Sequence, residues 1–329
     1  MSEKFGKFDG RDVTRATLTD GDVAVSILNY GCITQDWRVP LGGTRVPVVL
    51  GFEQFEDYPE HSRSFGIIAG RVANRTALGR FELGGIAYQL PINNGPNHLH
   101  GGLRGLGRRL WTMEADGPRS VQLSYHSPDG EEGYPGAVDF NILITLEGRA
   151  LTYVMTGVPD RATPINLAQH SYYNLNAAHV LDHKLHLTAA HYTPVDDTLI
   201  PTGQIDPVAG THFDFRKPAA IGDLDPRRTG IDLNMVLDAD RDTTAPAAIL
   251  EAPNGLSLKL WTDQPGIQLF NAPEMTIAVP GLAGQRYGHF SGLCLEAQKF
   301  PDALNQPHFP SIICTPDAPY HQKLTVEIG

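Results

Sequence analysis

Short segments rich in β-branched and aromatic residues recur along the whole chain and favour strands over every other element. They read VAVSILNY (23–30), VQLSYH (121–126), FNILITLEG (140–148), LTYVMTG (151–157), LSLKLWT (256–262), IQLF (267–270), LCLEAQ (293–298) and LTVEI (324–328). Several alternate polar and apolar residues, the period of two that turns every second side chain toward one buried face of a sheet. Turn clusters such as DGEEGYPG and NNGPN separate them, and 34 Gly and 25 Pro supply the punctuation. No window is long and amphipathic enough for a substantial helix, although a helical turn is expected near FEQFEDY (52–58). Neither an internal repeat nor a Ser/Gly-rich linker divides the 329 residues. The expected architecture is therefore all-β, a single domain over residues 1–329 with two large, mostly antiparallel sheets packed face to face.

Charge narrows the partners. A formal net charge of -11, with no Lys/Arg stripe, argues against nucleic acid and anionic membrane surfaces and suits a neutral small molecule. No apolar run approaches the about 20 residues that span a bilayer, and the start MSEKFGKFDG lacks the build of a signal peptide, so a cytoplasmic location is expected. Cys32, Cys294 and Cys314 are an odd number without C-x-x-C spacing, which reads as buried reduced thiols.

Four clusters interrupt the strand pattern with His, Arg, Asn, Gln and carboxylates: GRVANR (70–75), NNGPNHLHGG (93–102), PINLAQHSYYNL (164–175) and CLEAQKFPDALNQPHFPS (294–311). Buried polar groups cost roughly 1–3 kcal/mol each when unsatisfied, so gathering them around one cavity is more economical than scattering them. His98 and His100 form an H-x-H pair, which on a strand points both rings to one face as in some metal sites. The following GGLRGLGRRL contains no acid to complete such a site, and no metal is expected. Nucleophile elbows and dinucleotide or P-loop fingerprints are missing from the sequence, so no cofactor is expected either. Proton transfer remains. Glu296, framed by apolar residues in LCLEAQ, and His170 both invite burial, where a titratable group is paired, hydrogen-bonded or shifted in pKa. On the residues alone, a satisfied core histidine and an unrelated ion-paired glutamate fit equally well.

The sequence resembles the aldose 1-epimerases, also called galactose mutarotases. The stretches that carry the resemblance are GRVANR, YQLPINNGPNHLHGG, GEEGYPG, INLAQHSYYNL, VDDTLIPTG, TDQPGIQLF and CLEAQKFPDALNQPHFPS, in family order from about residue 20 to the C-terminus. The resemblance implies a large twisted antiparallel β-sandwich, the galactose mutarotase-like supersandwich. It also implies interconversion of the α and β anomers of a free aldose without cofactor or metal. The family's general base falls on Glu296, its general acid on His170, and a second histidine on His100. Asn74, Arg75, Ser171, Tyr172, Asp232 and Gln268 fall where the family contacts the sugar. One departure concerns the family's G-[YF]-D-H run, which reads Gly230, Ile231, Asp232, Leu233 here, keeping the aspartate without the aromatic or the histidine. His98 stands where many members carry a smaller residue.

The implied chemistry needs a base for the anomeric hydroxyl and an acid for the ring oxygen on the same sugar. It therefore requires Glu296 and His170 to face each other in one cavity, across a gap about one monosaccharide wide. A hexose-6-phosphate 1-epimerase, with added Arg or Lys around the phosphate, and a non-catalytic carbohydrate-binding protein are the alternatives on the same scaffold. A monosaccharide is the expected partner, and a monomer and a homodimer are both open.

Overall fold

The alternating strands assemble into three large antiparallel sheets in a computed structural model that describes residues 2–62 and 64–329. The largest has nine strands. Its first five lie side by side in the order Thr112–Asp116, Ser120–Ser127, Val138–Glu147, Ala150–Pro159 and Tyr320–Ile328. Ser257–Thr262, Ala248–Glu251, Lys184–Leu187 and Ala219–Ala220 complete it. Along Val138–Glu147 buried residues alternate with exposed or half-buried ones without a break, as expected of a strand with one face in the core.

A six-stranded sheet runs Tyr172–Tyr173, Leu293–Gln298, Gly266–Phe270, Asp232–Val236, His191–Thr193 and Asp206–Pro207. A five-stranded meander, from Ser2–Phe8 to Thr44–Pro47, forms the third sheet. One hydrophobic cluster joins them, drawing Ile142, Tyr153 and Val326 from the first, Met235, Ile267, Leu293 and Leu295 from the second, and Val25 and Trp37 from the third. Fully burying a side chain of this size contributes about 1.5–3 kcal/mol, so this shared layer is what holds the sheets together.

Helix is scarce for the reason the sequence suggests. Among the described residues the α-helices are Asp57–His61 and Ile221–Leu224. The first overlaps the end of the expected turn at 52–58 but begins later, because Phe52 and Phe55 are drawn fully into an aromatic cluster with Tyr58. Among the described residues no helix is long and apolar enough to cross a membrane.

Candidate active site

Leu293–Gln298 is buried at all six positions, unlike the one-sided strands of the nine-stranded sheet. Its two faces do different things. Leu293, Leu295 and Ala297 enter the shared hydrophobic cluster, so Cys294, Glu296 and Gln298 turn the other way. Register continues that polar face across neighbouring strands, where Tyr172 lies opposite Cys294, Gln268 opposite Glu296, and Asn234 opposite Gln268. Five atoms on it, Glu296 Oε2, Gln268 Oε1, Asn234 Oδ1 and both side-chain heteroatoms of Gln298, make no hydrogen bond within the protein. Each such group costs roughly 1–3 kcal/mol, and their convergence on one sheet face marks a surface shaped for a hydroxylated ligand.

The polar run 164–175 divides by the same period. His170 and Tyr172 point toward Glu296, with their rings stacked at 5.1 Å. His170 Nε2 stands 3.6 Å from Glu296 Oε1, and its Nδ1 lies 3.6 Å from Cys294 Sγ. The backbone on either side is pinned to a neighbouring strand, His170 N–H donating to Ile67 O and Gly66 N–H to His170 O. Gln169, Ser171 and Tyr173 point the opposite way and bond to one another. The Gln169 amide donates to Ser171 Oγ at 2.6 Å and accepts from Ser171 N–H at 3.1 Å and Tyr173 OH at 3.4 Å. Ser171, expected among the sugar contacts, is therefore not brought to the site. Residues adjacent on an extended strand face opposite sides. Ser171→Ala is expected to leave KM unchanged and to lower unfolding free energy by about 1–3 kcal/mol, read by steady-state kinetics and urea denaturation.

His100 comes from the other side of the cleft. Asn74 N–H donates to its Nδ1 at 3.1 Å, while His100 N–H donates back to Asn74 O at 3.0 Å. An accepting Nδ1 places the proton of neutral His100 on Nε2, so the ring presents a donor. Its centroid lies 5.1 Å from that of His170, and ligand-type atoms of His100, His170 and Glu296 all fall within 4.8 Å of one another. His98 is not part of this group. The strand His98–Leu99 ends before His100, whose φ is +50°, and the two rings diverge instead of sharing a face. His98 bonds Pro91 O through Nδ1 and Tyr134 OH through Nε2, at 2.8 and 2.7 Å, and is a satisfied core residue.

Arg75 follows Asn74, whose Oδ1 accepts the Arg75 N–H at 2.8 Å. The guanidinium donates to Asn94 Oδ1 at 2.9 Å and approaches Asp232 Oδ2 at 3.6 Å. Gln268 Nε2 donates to Asp232 Oδ1 at 2.6 Å, closing a chain from Arg75 through Asp232 to Gln268 beside Glu296. The departure at Leu233 has a physical reading. Leu233 pairs with Leu269 and packs against the hydrophobic cluster, so it occupies the face away from the site and Asp232 keeps its partners without a neighbouring histidine.

A family model described as aldose 1-epimerase matches residues 14–327. The chain belongs to the aldose 1-epimerase family. It is 40% identical over 318 residues to the galactose mutarotase of Rattus norvegicus, covering 95% of this chain and 93% of that one. The aldose 1-epimerase of Haemophilus influenzae is 34% identical over 318 residues, with coverage of 93% and 92%. Among solved structures, an aldose epimerase homologue from C. elegans superposes with a TM-score of 0.91 at 27% identity, over 96% of this chain and 99% of that one. Galactose 1-epimerase from Lactobacillus acidophilus superposes at 0.85 and 29% identity, over 100% and 98%. The expected supersandwich is thus the fold of this family member.

In this aldose 1-epimerase family member, burial pushes Glu296 and His170 toward their neutral forms. Desolvation, with the charge of Asp232 adding to it and Arg75 opposing, raises the Glu296 carboxyl well above its usual range. Desolvation lowers His170 to about 4. His100 is lowered too, by burial and then by the nearby His170 and Arg75, which keeps it the neutral donor that its bond from Asn74 dictates. A neutral acid beside a neutral imidazole and a carboxylate beside an imidazolium hold the same single proton. The pair can shift between them without exchange with solvent.

Asn94, Asn234, Gln298 and Cys294 were not distinguished by sequence reasoning as site residues. The signal for two of them was present, since Cys294, Glu296 and Gln298 share a strand face at spacing two. Asn234 and Asn94 needed the register and the loop path that only the fold supplies.

Proposed function

We propose that this isomerase interconverts the α and β anomers of a free aldose with Glu296 as general base and His170 as general acid. What supports the reading most is the pairing of His170 Nε2 and Glu296 Oε1 at 3.6 Å on a buried face of unpartnered polar atoms. The separation is smaller than the monosaccharide-wide gap expected from the sequence. The anomeric hydroxyl and the ring oxygen are both bonded to C1, so acid and base must converge on one carbon.

Glu296 carboxylate takes the anomeric hydroxyl proton as His170 imidazolium delivers one to the ring oxygen. The C1–O5 bond breaks, a C1 carbonyl forms, and one proton has moved onto Glu296 and one off His170. The aldehyde rotates about C1–C2 and re-closes from its other face with the roles reversed. His100 Nε2–H stabilises charge on oxygen as it develops. Arg75, Asp232 and Gln268, already linked to one another, hold ring hydroxyls, Asn74 orients His100, and Tyr172 walls the His170 ring. We assign the same one-domain organisation to residues 1–329, supported by the hydrophobic cluster that all three large sheets share. A cytoplasmic location fits three buried free thiols.

Polarimetry on freshly dissolved α-anomers of galactose, glucose, xylose and arabinose tests the reading, and binding without faster equilibration would overturn it. Parallel assays with hexose 6-phosphates, and elemental analysis of the purified protein, separate the phosphorylated-substrate and metal alternatives. Activity requires one proton on the pair. The rate should fall on the acid side as pH drops through about 4, where His170 gains a second proton for the pair. It should fall again on the basic side above the raised pKa of Glu296, where that proton is lost. A flat kcat profile between these limbs and beyond would contradict the assignment.

A further inference from the structure

His100 holds its donor position in an unfavourable backbone conformation. It, Gly101 and Gly102 have successive φ values of +50°, +79° and +103°, a region open to glycine but disfavoured for a histidine. Such a conformation persists only where surrounding groups over-determine it.

Two side chains from elsewhere in the chain do so. Asn93 brackets the histidine, its Oδ1 accepting from Leu99 N–H at 2.7 Å and its amide donating to Leu99 O and Gly102 O at 3.0 Å each. Glu132 spreads its carboxylate over the next two peptide units, Oε2 accepting from Leu103 N–H at 2.8 Å and Oε1 from Arg104 N–H at 3.1 Å. Gly102 packs so closely on that carboxylate that a Cβ there would collide with Oε2.

Glu132 is itself held firmly. Its segment is anchored by the buried Arg71, which donates to Ser127 O, Pro128 O, Pro135 O and Gly136 O at 2.8–3.2 Å. Arg109 lies 3.6 Å from Glu132 Oε1 and 3.0 Å from Glu131 Oε1. The two-residue strand that leads into His100 is fixed to the same segment by Tyr134 OH on His98 Nε2, at 2.7 Å. Both oxygens of this carboxylate are engaged by backbone amides of the loop that follows His100. The consequence is the placement of His100.

We propose that Glu132, together with Asn93, is a positioning residue that aims His100 Nε2–H at the substrate. This rests on the assignment of His100 as a donor. Glu132→Gln retains one acceptor oxygen but turns an amide N–H₂ toward a backbone N–H. Asn93→Asp keeps the acceptor for Leu99 N–H and sets a carboxylate against two carbonyls. Each acts on a different side of the loop.

The test is a double-mutant cycle on kcat with His100→Asn, with circular dichroism and thermal unfolding on every variant. Glu132→Gln and Asn93→Asp should each lower kcat roughly tenfold or more in the wild-type background, as misplacement of a catalytic group by about an ångström does, with KM changing less. In the His100→Asn background neither should lower it further. Equal fold losses in both backgrounds, or an unchanged kcat in a folded variant, would overturn the proposal while leaving His100 in its role. Full activity of His100→Asn alone would remove that role and the proposal with it. If one variant fails to fold, the other decides.

Discussion

Glu296→Gln is expected to lower kcat for anomer interconversion by about 10²–10⁴-fold, the usual contribution of a positioned general base, in a protein that folds more stably than the wild type. The stability gain follows from burial. The Glu296 carboxyl is raised well above its ordinary pKa because the folded state desolvates it beside Asp232. A raised carboxyl means that the folded state binds the proton more tightly than the unfolded one. The wild type therefore loses stability as pH rises from the unfolded value near 4.5 toward the folded pKa. Glutamine has the shape and nearly the hydrogen bonding of the protonated acid but does not titrate. The variant's advantage in thermal midpoint should be near zero below pH 4.5 and grow above it. Equal midpoints at pH 4 and pH 7.5, with retained polarimetric activity, would show that this carboxylate is neither buried at a cost nor catalytic.

His170→Asn carries an effect of the same order on kcat, about 10²–10⁴-fold, and differs in its pH signature. Loss of the acid removes the acid limb near pH 4, since no imidazole remains to take the second proton. What activity survives should depend on Glu296 alone. The stability gain has the opposite pH dependence. A histidine lowered to about 4 in the folded state destabilises the wild type as pH falls from 6.5 toward 4, and asparagine relieves that loss only on the acid side. Near-wild-type rates by NMR for this variant would remove the proton donor from the mechanism.

The strands and the site were legible to different degrees, for different physical reasons. LCLEAQ at 293–298 is a strand with those same limits, and IQLF gains one residue to become Gly266–Phe270. Both carry dense β-formers with a buried face, which is what periodicity detects. Ser2–Phe8 and Arg11–Asp20, the first strands of the five-stranded sheet, were not read from sequence. The former has no buried residue along its length, so no apolar alternation announces it. Glu296, His170, His100, Arg75, Asp232 and Gln268 lie close together in the fold, although strand alternation alone could not have chosen among them. Ser171 turns toward Gln169 and away from His170, since a resemblance transfers positions along a motif, whereas the extended backbone turns each position to one side or the other. The divergence of His98 from His100 came from a left-handed residue that no spacing argument anticipates.

The polar face behind this chemistry is stitched from chain segments near 172, 234, 268 and 296, with His100 reaching it from a fifth. None of these neighbours is local, and pairings across such sequence separations close late and slowly. A chain that has collapsed but not yet docked Leu293–Gln298 between Tyr172 and Gly266–Phe270 has no acid facing a base. Turnover therefore requires this docking, and regained catalysis after dilution from denaturant reports when Leu293–Gln298 has joined its two neighbours.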